Sequence, residues 1–269
     1  MIPYYLDITI NNNTVYTMEE DRAYIVRMIG TNSAGDAQLY VDDKPLGVFD
    51  SAIAPLTLST SNYNGPLDLG NLFYVIPPKK QFKITGDSGS KTRLIGTMIM
   101  LDTNEQLPSD LLQRYDEQFS HFWTKVYGSV TLGTDVKWLK DQEIKVISLL
   151  PLTSEKYVFN NLIMGKVTGG TITRGQVGVY HKWRDFPYTM HSYSAGPQGI
   201  DILAMPYPPS GTTEMYAFYL DKYPIEVPGD IRVDFVAKNV SGADLTPATG
   251  SSWKIELCLL AEYFKLGAR

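Results

Sequence analysis

The feature that most restricts the fold is an alternation near the C-terminal end of the chain, in which one face is apolar and the other carries the charged side chains. The residues that share one face of this segment are Trp253, Ile255, Leu257, Leu259, Ala261 and Tyr263. Lys254, Glu256 and Glu262 mark the opposite face. Successive side chains point to opposite faces of a β-strand, whereas a helix repeats every 3.6 residues. The segment therefore predicts a long strand with one buried face.

Shorter strand-like segments recur along the chain and are separated by turn-forming residues. The further predicted strands are 23–28, 37–41, 72–76, 81–85, 93–101 and 231–237. The segments 32–36, 86–90, 169–170 and 241–242 supply the Gly, Asn, Asp and Ser residues that favour turns. Tyr is abundant, with 18 residues, and aromatic side chains suit half-buried pleated surfaces. The chain is therefore expected to be all-β.

One segment, 109–122, departs from this pattern. Its apolar residues at helical spacing are Leu111, Leu112, Tyr115, Phe119 and Phe122. Pro108 and Ser109 form a helix start signal, and Asp110 lies close to the positive end of the helix dipole. The segment predicts one amphipathic helix just before the middle of the chain.

The chain divides into two halves, 1–125 and 126–269, each about the size of one β-barrel or sandwich. A domain of this size buries a core without needing disulfides or metals. In both halves a strand, prolines, a second strand, a glycine turn and a long strand follow in that order, over 73–101 and over 216–264. Any two β-sandwiches would show this order, so duplication and coincidence both stay open.

Composition argues against several classes of partner and compartment. The net charge of −5, with both signs mixed, gives no long-range attraction to nucleic acid, so direct nucleic-acid binding is not expected. The single cysteine, Cys258, lies in an apolar run and favours cytoplasmic synthesis over secretion. The first residues lack the basic start and apolar core of a signal peptide. The longest apolar stretches, 94–101 and 257–264, are shorter than the roughly 20 residues that span a bilayer.

The segment 86–90, Gly-Asp-Ser-Gly-Ser, resembles the nucleophile loop of chymotrypsin-like serine proteases. Those enzymes place the general-base histidine before the serine in the chain, but the first histidine here is His121. Gly, Asp and Ser are also ordinary turn residues. A turn between two strands is therefore the favoured interpretation.

The histidines give no metal-binding or catalytic pattern. His121, His181 and His191 lie on a predicted helix end, strand and loop, and none forms the His-x-His pair of cupin-type sites. Glycoside hydrolysis needs only two carboxylates at a suitable separation, which a sequence does not measure. We expect no enzyme, with a glycoside hydrolase kept as one alternative.

An acidic loop before the predicted helix begins like a calcium-binding loop. Oxygen ligands from Asp102, Asn104 and Glu105 would suit Ca²⁺. Leu107 stands where an EF-hand loop requires glycine, and Gln113 replaces its bidentate glutamate. The alternative interpretation is a polar loop that starts the helix. Calcium is thus a candidate cofactor, with these three residues as candidate ligands.

The layout of the whole chain resembles the double jelly-roll major capsid proteins of viruses. Within that group it is most similar to the capsid protein of the corticoviruses, which are tailless marine bacteriophages with an internal lipid membrane. The resemblance covers 4–264 and is carried by the two β-rich halves, the helix near their junction and the two strand-proline-strand-glycine-strand blocks. It implies two tandem eight-stranded jelly-roll barrels, 1–125 ending in the helix and 126–269.

The resemblance also implies a structural function. A protein of this family forms pseudo-hexagonal homotrimers that tile an icosahedral shell over an internal membrane. Its implied partners are other copies of the chain, other virion proteins and the viral membrane or its proteins. Calcium is the implied cofactor, and the virion capsid, after synthesis in the host cytoplasm, is the implied location.

The alternative function is that of a carbohydrate-binding or adhesin-like pair of β-sandwiches. Aromatic side chains in exposed loops would stack on sugar rings or contact a partner. The residues that motivate this alternative are Trp183, Phe186, Tyr188, Tyr193 and Tyr207.

Overall fold

The computed structural model describes residues 1–57, 65–103, 105–159, 163–183, 186–189, 199–205 and 224–267. These ranges contain nineteen β-strands and one α-helix. The strands are β1 (Ile2–Asn11), β2 (Val15–Thr17), β3 (Arg22–Thr31), β4 (Ala37–Val41), β5 (Lys44–Phe49), β6 (Leu67–Asp68), β7 (Tyr74–Ile76), β8 (Gln81–Thr85), β9 (Lys91–Met100), β10 (His121–Thr131), β11 (Glu143–Leu149), β12 (Glu155–Phe159), β13 (Ile163–Thr168), β14 (Val177–Trp183), β15 (Phe186–Thr189), β16 (Ile200–Asp201), β17 (Ile225–Pro228), β18 (Val233–Asn239) and β19 (Lys254–Lys265). The helix α1 spans Ser109–Glu117, and short 3-10 turns lie at Gly70–Leu72 and Ile202–Ala204.

The chain folds into two compact units. The first consists of Met1–Lys125 together with Tyr263–Arg269, and the second of Val126–Glu262. This division falls inside β10 and β19, so each of those strands contributes residues to both units. The sequence-based assignment of 1–125 and 126–269 to separate barrels stays a prediction.

None of the helices in the described ranges is long and apolar enough to span a bilayer.

The first unit has the strand order of a jelly roll. One sheet follows the order β1-β9-β3-β6, with β7 also paired to β3, and the other follows β2-β8-β4-β5. If β6 and β7 count as one interrupted strand, the eight strands of the unit stand in the orders 1-8-3-6 and 2-7-4-5. Two Greek keys that wrap into two facing sheets produce this order.

The second unit repeats the same order. Its sheets follow β10-β19-β12-β17, with β13 also paired to β19, and β11-β18-β14-β15, with β16 also paired to β14. Counting β12 with β13 and β15 with β16 again gives 1-8-3-6 and 2-7-4-5. The predicted all-β fold of two tandem eight-stranded jelly rolls and one short helix is therefore confirmed.

The alternating segment near the C-terminal end forms β19. The apolar face is fully buried from Trp253 to Ala261. The opposite face, which carries the charged residues, is more buried than the pattern predicts, because Glu256 is only 7% exposed. Lys254 lies 2.9 Å from its carboxylate, and the Tyr127 hydroxyl donates a hydrogen bond of 2.8 Å. These partners compensate the buried charge.

The core of the second unit lies between its two sheets and is rich in aromatic side chains. Trp138 and Trp253, both without exposed area, pack edge to face with ring centroids 6.5 Å apart. Phe159 and Phe235 pack in the same way at 5.1 Å. Such pairs add stabilisation beyond the burial of their area.

In the first unit the helix covers one part of the β1-β9-β3-β6 sheet. Leu107, just before α1, and Leu111 within it are buried against Ala23, Ile25 and Ile99 of the sheet. The Arg114 guanidinium donates to the Phe73 carbonyl at 2.9 Å. Leu111 and Tyr115 of the predicted apolar face therefore pack on the sheet, whereas Leu112 is 40% exposed.

The helix ends earlier than its apolar spacing predicts. It stops at Glu117 rather than near Phe122, and the strand β10 already begins at His121. The buried Gln118 side chain accepts from the Val75 amide at 2.8 Å and donates to the Val75 carbonyl at 3.0 Å. Phe122 packs on Tyr263 with ring centroids 4.9 Å apart. Tertiary hydrogen bonding and strand pairing thus override the helical spacing.

Candidate cation site and assembly surfaces

The loop with the candidate calcium ligands joins β9 to α1. Asp102 and Glu105 lie in it, whereas Asn104 is outside the described residues. The Asp102 amide donates to Glu105 Oε2 at 3.0 Å, and the Glu105 amide donates to the Asp102 carbonyl at 2.9 Å. The Met1 ammonium lies 2.6 Å from Glu105 Oε2 and 3.7 Å from Asp102 Oδ2. The loop therefore holds two carboxylates next to one cationic group.

This environment keeps Glu105 ionised. The Met1 ammonium, followed by the Asp102 amide, holds the pKa of Glu105 below its usual value. Calcium takes six to eight oxygen ligands, and carboxylates are among those it prefers. In the part of the chain that the structure describes, no three His, Cys, Asp or Glu side chains are grouped so that they could hold a metal ion. The two carboxylates fit the chemistry of calcium but supply only part of a ligand set, and the calcium site stays a prediction.

A cavity of about 940 Å³ lies beside this loop. Its lining combines four carboxylates, from Glu20, Asp21, Asp102 and Glu105, with a single lysine, Lys79. The apolar part of the lining consists of Pro77, Pro78, Met100, Leu101, Leu107 and Leu112. The cavity is thus acidic and half apolar, and it belongs entirely to the first unit.

The histidines occupy separate places. His121 is the first residue of β10 rather than a helix end, and its ring stacks on Phe264 at 4.0 Å between centroids. His181 lies on β14 as predicted, is 9% exposed and packs 6.4 Å from the Phe235 ring. Burial lowers the pKa of His181 to about 4, so the ring is neutral at pH 7. His191 lies outside the described residues.

The segment 86–90 forms the turn between β8 and β9. The Asp87 carboxylate accepts hydrogen bonds from the amides of Ala34 and Gly35 at 2.8 and 2.9 Å. The Gly35 amide, followed in effect by Ser33 and the Ala34 amide, holds the pKa of Asp87 below its usual value. The Asp87 carboxylate therefore connects the 86–90 turn to the loop that contains Ala34 and Gly35.

Each unit contains a cluster of paired charges around a side chain with little exposure. In the first unit Lys125, whose side chain is 7% exposed, contacts Asp50 at 2.7 Å and also Asp36. Burial alone would lower the pKa of Lys125, but the two carboxylates outweigh it and raise the pKa above its usual value. In the second unit Asp234 lies 2.7 Å from Lys145 and 3.0 Å from Arg232. Both clusters stabilise sheet positions through charge-assisted hydrogen bonds.

The aromatic residues that motivate carbohydrate binding are only partly described. Trp183, at the end of β14, is 37% exposed. Phe186 and Tyr188 belong to β15, but their side chains are outside the described part of the structure. Tyr193 and Tyr207 also lie outside it. One aromatic side chain of this set is therefore placed at the surface.

A further apolar surface lies on β1 and was not identified from the sequence. Ile2, Tyr4 and Tyr5 are 53%, 44% and 76% exposed, which is unusual for large apolar side chains within a strand. The alternation of Leu6, Ile8 and Ile10 with polar residues could have identified the strand itself. It could not have shown that the first half of the strand extends beyond the core.

No protein-family model matches this chain, and no curated protein sequence matches it. Among solved structures, the chain is similar to the major capsid protein P2 from bacteriophage PM2, with 9% sequence identity, a TM-score of 0.35, and coverage of 98% of this chain and 99% of that one. It is also similar to a chain in the structure of infectious bursal disease virus strain Gx, with 8% identity, a TM-score of 0.20, and coverage of 99% and 76%. A chain of the T13 particle of the same virus shows 9% identity, a TM-score of 0.13, and coverage of 97% and 77%.

Proposed function

We propose that this chain is a structural protein that assembles with copies of itself into a shell, as a viral capsid protein does. The observation that carries the proposal is the presence of two jelly rolls with the same strand order in one chain. Jelly rolls occur in capsid proteins, lectins and cupins, so one such fold alone would not choose between these functions. The repetition is what favours a lattice subunit.

The proposed functional unit is a homotrimer. Three copies bring together six similar jelly rolls, so a threefold object acquires six similar flanks and can occupy a sixfold position in a lattice. In its full form the proposal is a major capsid protein of the corticovirus kind. Its pseudo-hexagonal trimers would tile an icosahedral shell and contact an internal membrane and other virion proteins.

The exposed apolar side chains support self-assembly. Ile2, Tyr4 and Tyr5 in the first unit and Leu150 and Leu152 in the second are between 44% and 76% exposed. Contact surfaces enriched in aromatic and aliphatic side chains are typical of permanent oligomers, whose interfaces commonly exceed about 2,000 Å². Burial of these side chains against other copies would remove apolar area from water.

Native mass spectrometry at micromolar concentration tests the proposed trimer. We expect a stable species with three times the mass of the chain, which is 30.1 kDa. Small-angle scattering of the same sample should give the corresponding particle mass. A monomer that persists over the whole concentration range would contradict the proposal.

Calcium is the proposed cofactor, with Asp102, Asn104 and Glu105 as the proposed ligands. A bound ion stabilises the folded state in proportion to its binding free energy. A chelator should therefore lower the melting temperature of the wild type but not that of the double variant Asp102→Asn, Glu105→Gln. A melting temperature that the chelator leaves unchanged in the wild type would exclude calcium as a stabilising ion.

Glycan binding is a second candidate, which the exposed Trp183 indole favours. Aromatic side chains at a surface commonly form the contact platform of a binding site. Saturable binding on a glycan array, lost in Trp183→Ala and kept in Trp183→Phe, would support this function. Absence of saturable binding would remove it.

A further inference from the structure

The strand β1 forms an unusually regular edge of its sheet. It pairs with β9 on one side and ends the order β1-β9-β3-β6 on the other. Its register with β9 runs without interruption from Ile2, opposite Met100, to Asn11, opposite Lys91. A long, flat edge presents a row of backbone groups that another strand can pair with.

The other edge strands in the described ranges carry the usual protection against such pairing. β2, β5, β6, β15 and β17 are two to six residues long. The register of β11 is shifted between Lys145 and Ile147. At Gly128 of the long strand β10, a Cβ would lie 2.2 Å from the Val146 carbonyl oxygen, so the backbone of β11 crowds this strand. Among the described strands, β1 alone combines length, regularity and an open edge.

The backbone groups that face this open edge belong to the odd-numbered residues. Just beyond β1, the Asn12 amide donates to the Ser90 carbonyl at 3.0 Å, which places the even-numbered residues in the hydrogen-bonded pairs with β9. The Asn11 amide instead donates to the Tyr16 hydroxyl at 3.1 Å. Pro3, which has no amide hydrogen, is also odd-numbered. The amides of Tyr5, Asp7 and Thr9 therefore point away from β9.

Charge does not protect this edge either. β1 contains no lysine or arginine, and its one acidic residue is Asp7. The Arg93 guanidinium binds both oxygens of Asp7 at 2.7 Å, and this contact holds the pKa of Asp7 below its usual value. The negative charge of Asp7 is thus balanced within the same unit. Two copies of the chain, each with a net charge of −5, can approach through this strand without bringing unbalanced charges together.

We propose that β1 pairs antiparallel with β1 of a second copy, across a twofold axis at Tyr5, so that the two β1-β9-β3-β6 sheets become one. This register places the two Tyr5 side chains opposite each other, and cross-strand aromatic pairs stabilise sheets. A register centred on Asp7 would place two carboxylates opposite each other, which is unfavourable. The inference deepens the proposed self-assembly, on which it rests, by assigning a contact between neighbouring trimers.

Oxidative cross-linking of single cysteine variants tests both the strand and its register. In the proposed pair the two Tyr5 Cα atoms lie about 5.5 Å apart, within the range that a disulfide spans. Tyr5→Cys should therefore give a disulfide-linked dimer under mild oxidation. Thr9→Cys is the matched control, because Thr9 is exposed on the same face of the same strand and would lie about 27 Å from its counterpart. Cys258 is buried, so wild type sets the background.

A second variant distinguishes pairing through the β1 edge from formation of the trimer. Tyr5→Pro removes one amide from the open edge and leaves the hydrogen bonds with β9 intact, since proline is tolerated at such positions. We expect assemblies larger than the trimer to be lost in native mass spectrometry while the trimer and its circular dichroism spectrum stay as in wild type. Tyr5→Phe should keep the larger assemblies.

The outcomes distinguish this inference from the proposed function. Cross-linking confined to Tyr5→Cys supports the pairing. If larger assemblies form but Tyr5→Cys does not cross-link, or if Thr9→Cys cross-links equally, the pairing is wrong. The proposed shell function is not affected by either result. A wild type that stays monomeric overturns both.

Discussion

The two jelly rolls share one strand order but differ in the surroundings of their first strands, β1 and β10. In the first unit β1 keeps an open, regular edge with Tyr5 76% exposed. In the second unit the corresponding strand, β10, contains Gly128, where the Val146 carbonyl approaches so closely that a side chain would not fit. Two rolls with the same strand order can thus differ in the residues of their first strands.

The same contrast appears at the turns before the third strand of each roll. In the first unit this turn carries Glu19, Glu20 and Asp21, and all three carboxylates are exposed. In the second unit it carries Leu150 and Leu152, which are 60% and 66% exposed. Equivalent positions are thus acidic in one roll and apolar in the other, and the two rolls have chemically different surfaces there.

The largest expected effect concerns the core of the second unit. Trp253→Ala removes a side chain without exposed area and should reduce the free energy of unfolding by about 3–5 kcal/mol. Trp183→Ala, at a half-exposed tryptophan of the same unit, is the control and should cost less than about 1 kcal/mol. Urea denaturation measures both. If the rolls unfold separately, only the transition of the second should shift; a shift of the first would mean that the two unfold as one.

The next effect is a dependence on pH that the second unit should show through His181. Burial lowers the pKa of this residue to about 4 in the folded state, below the value of about 6.5 in an unfolded chain. Between these two values the unfolded state binds more protons than the folded state. The free energy of unfolding is therefore unaffected by this group above pH 6.5 and decreases by about 3 kcal/mol as the pH falls toward 4.

Denaturation at pH 7 and pH 4 in the variant His181→Phe measures this term. The variant should lose less stability on acidification than the wild type. The variant His121→Phe, which changes the histidine of the first unit, should lose as much stability on acidification as the wild type. Equal acid sensitivity in the wild type and His181→Phe would assign the loss to other groups.

Two buried asparagines allow a direct comparison of the rolls. The Asn239 amide donates to the carbonyls of Trp138, Leu139 and Ala243, between 2.8 and 3.1 Å. The Asn12 side chain instead donates to the Ser90 hydroxyl and accepts from the Thr92 hydroxyl, both at 2.7 Å. Asn239→Ala should cost about 2–3 kcal/mol, since it removes three hydrogen bonds made by a buried side chain, and Asn12→Ala about 1 kcal/mol, because hydroxyls can reorient. Similar losses in the two variants would contradict this reasoning.

The smallest effect concerns two buried tyrosines. The Tyr180 hydroxyl of the second unit donates to the Glu143 carboxylate, whereas the Tyr74 hydroxyl of the first has no hydrogen-bond partner among the described residues. Tyr180→Phe should therefore cost about 1 kcal/mol, and Tyr74→Phe should be neutral or slightly stabilising. Thermal unfolding measures both; a clear loss in Tyr74→Phe would reveal a partner for that hydroxyl.

Alternation predicted seven of the nineteen described strands, because a half-buried strand must alternate, and it missed the long strands β1 and β10. The strands at 37–41 and 81–85 match the structure at both ends, β9 and β19 match within two residues, and β3 extends three residues beyond its predicted end. The order 1-8-3-6 and 2-7-4-5 was expected only from the family resemblance, since pairing between distant strands leaves no periodic signal. The end of the helix was predicted wrongly, because Phe122 continues the helical spacing. In the structure Phe122 belongs to the strand β10 and packs on Tyr263.

The candidate site was less predictable than the fold. The acidic loop was located correctly before α1, but its composition could not show that the Met1 ammonium binds Glu105. The open edge of β1 was missed, because edge exposure depends on which strands lie beside it. Sequence periodicity reports which face of a strand is buried, not whether its backbone has a neighbour on both sides.

The last strand also has a consequence for synthesis. Tyr263 and Phe264 pack on Phe122 and His121, and the Lys265 amide donates to the Ser120 carbonyl, so the end of β19 completes the first unit. These contacts can form only after the whole of Val126–Glu262 has left the ribosome. The roll that is synthesised first can therefore complete its fold only after the second roll has been synthesised.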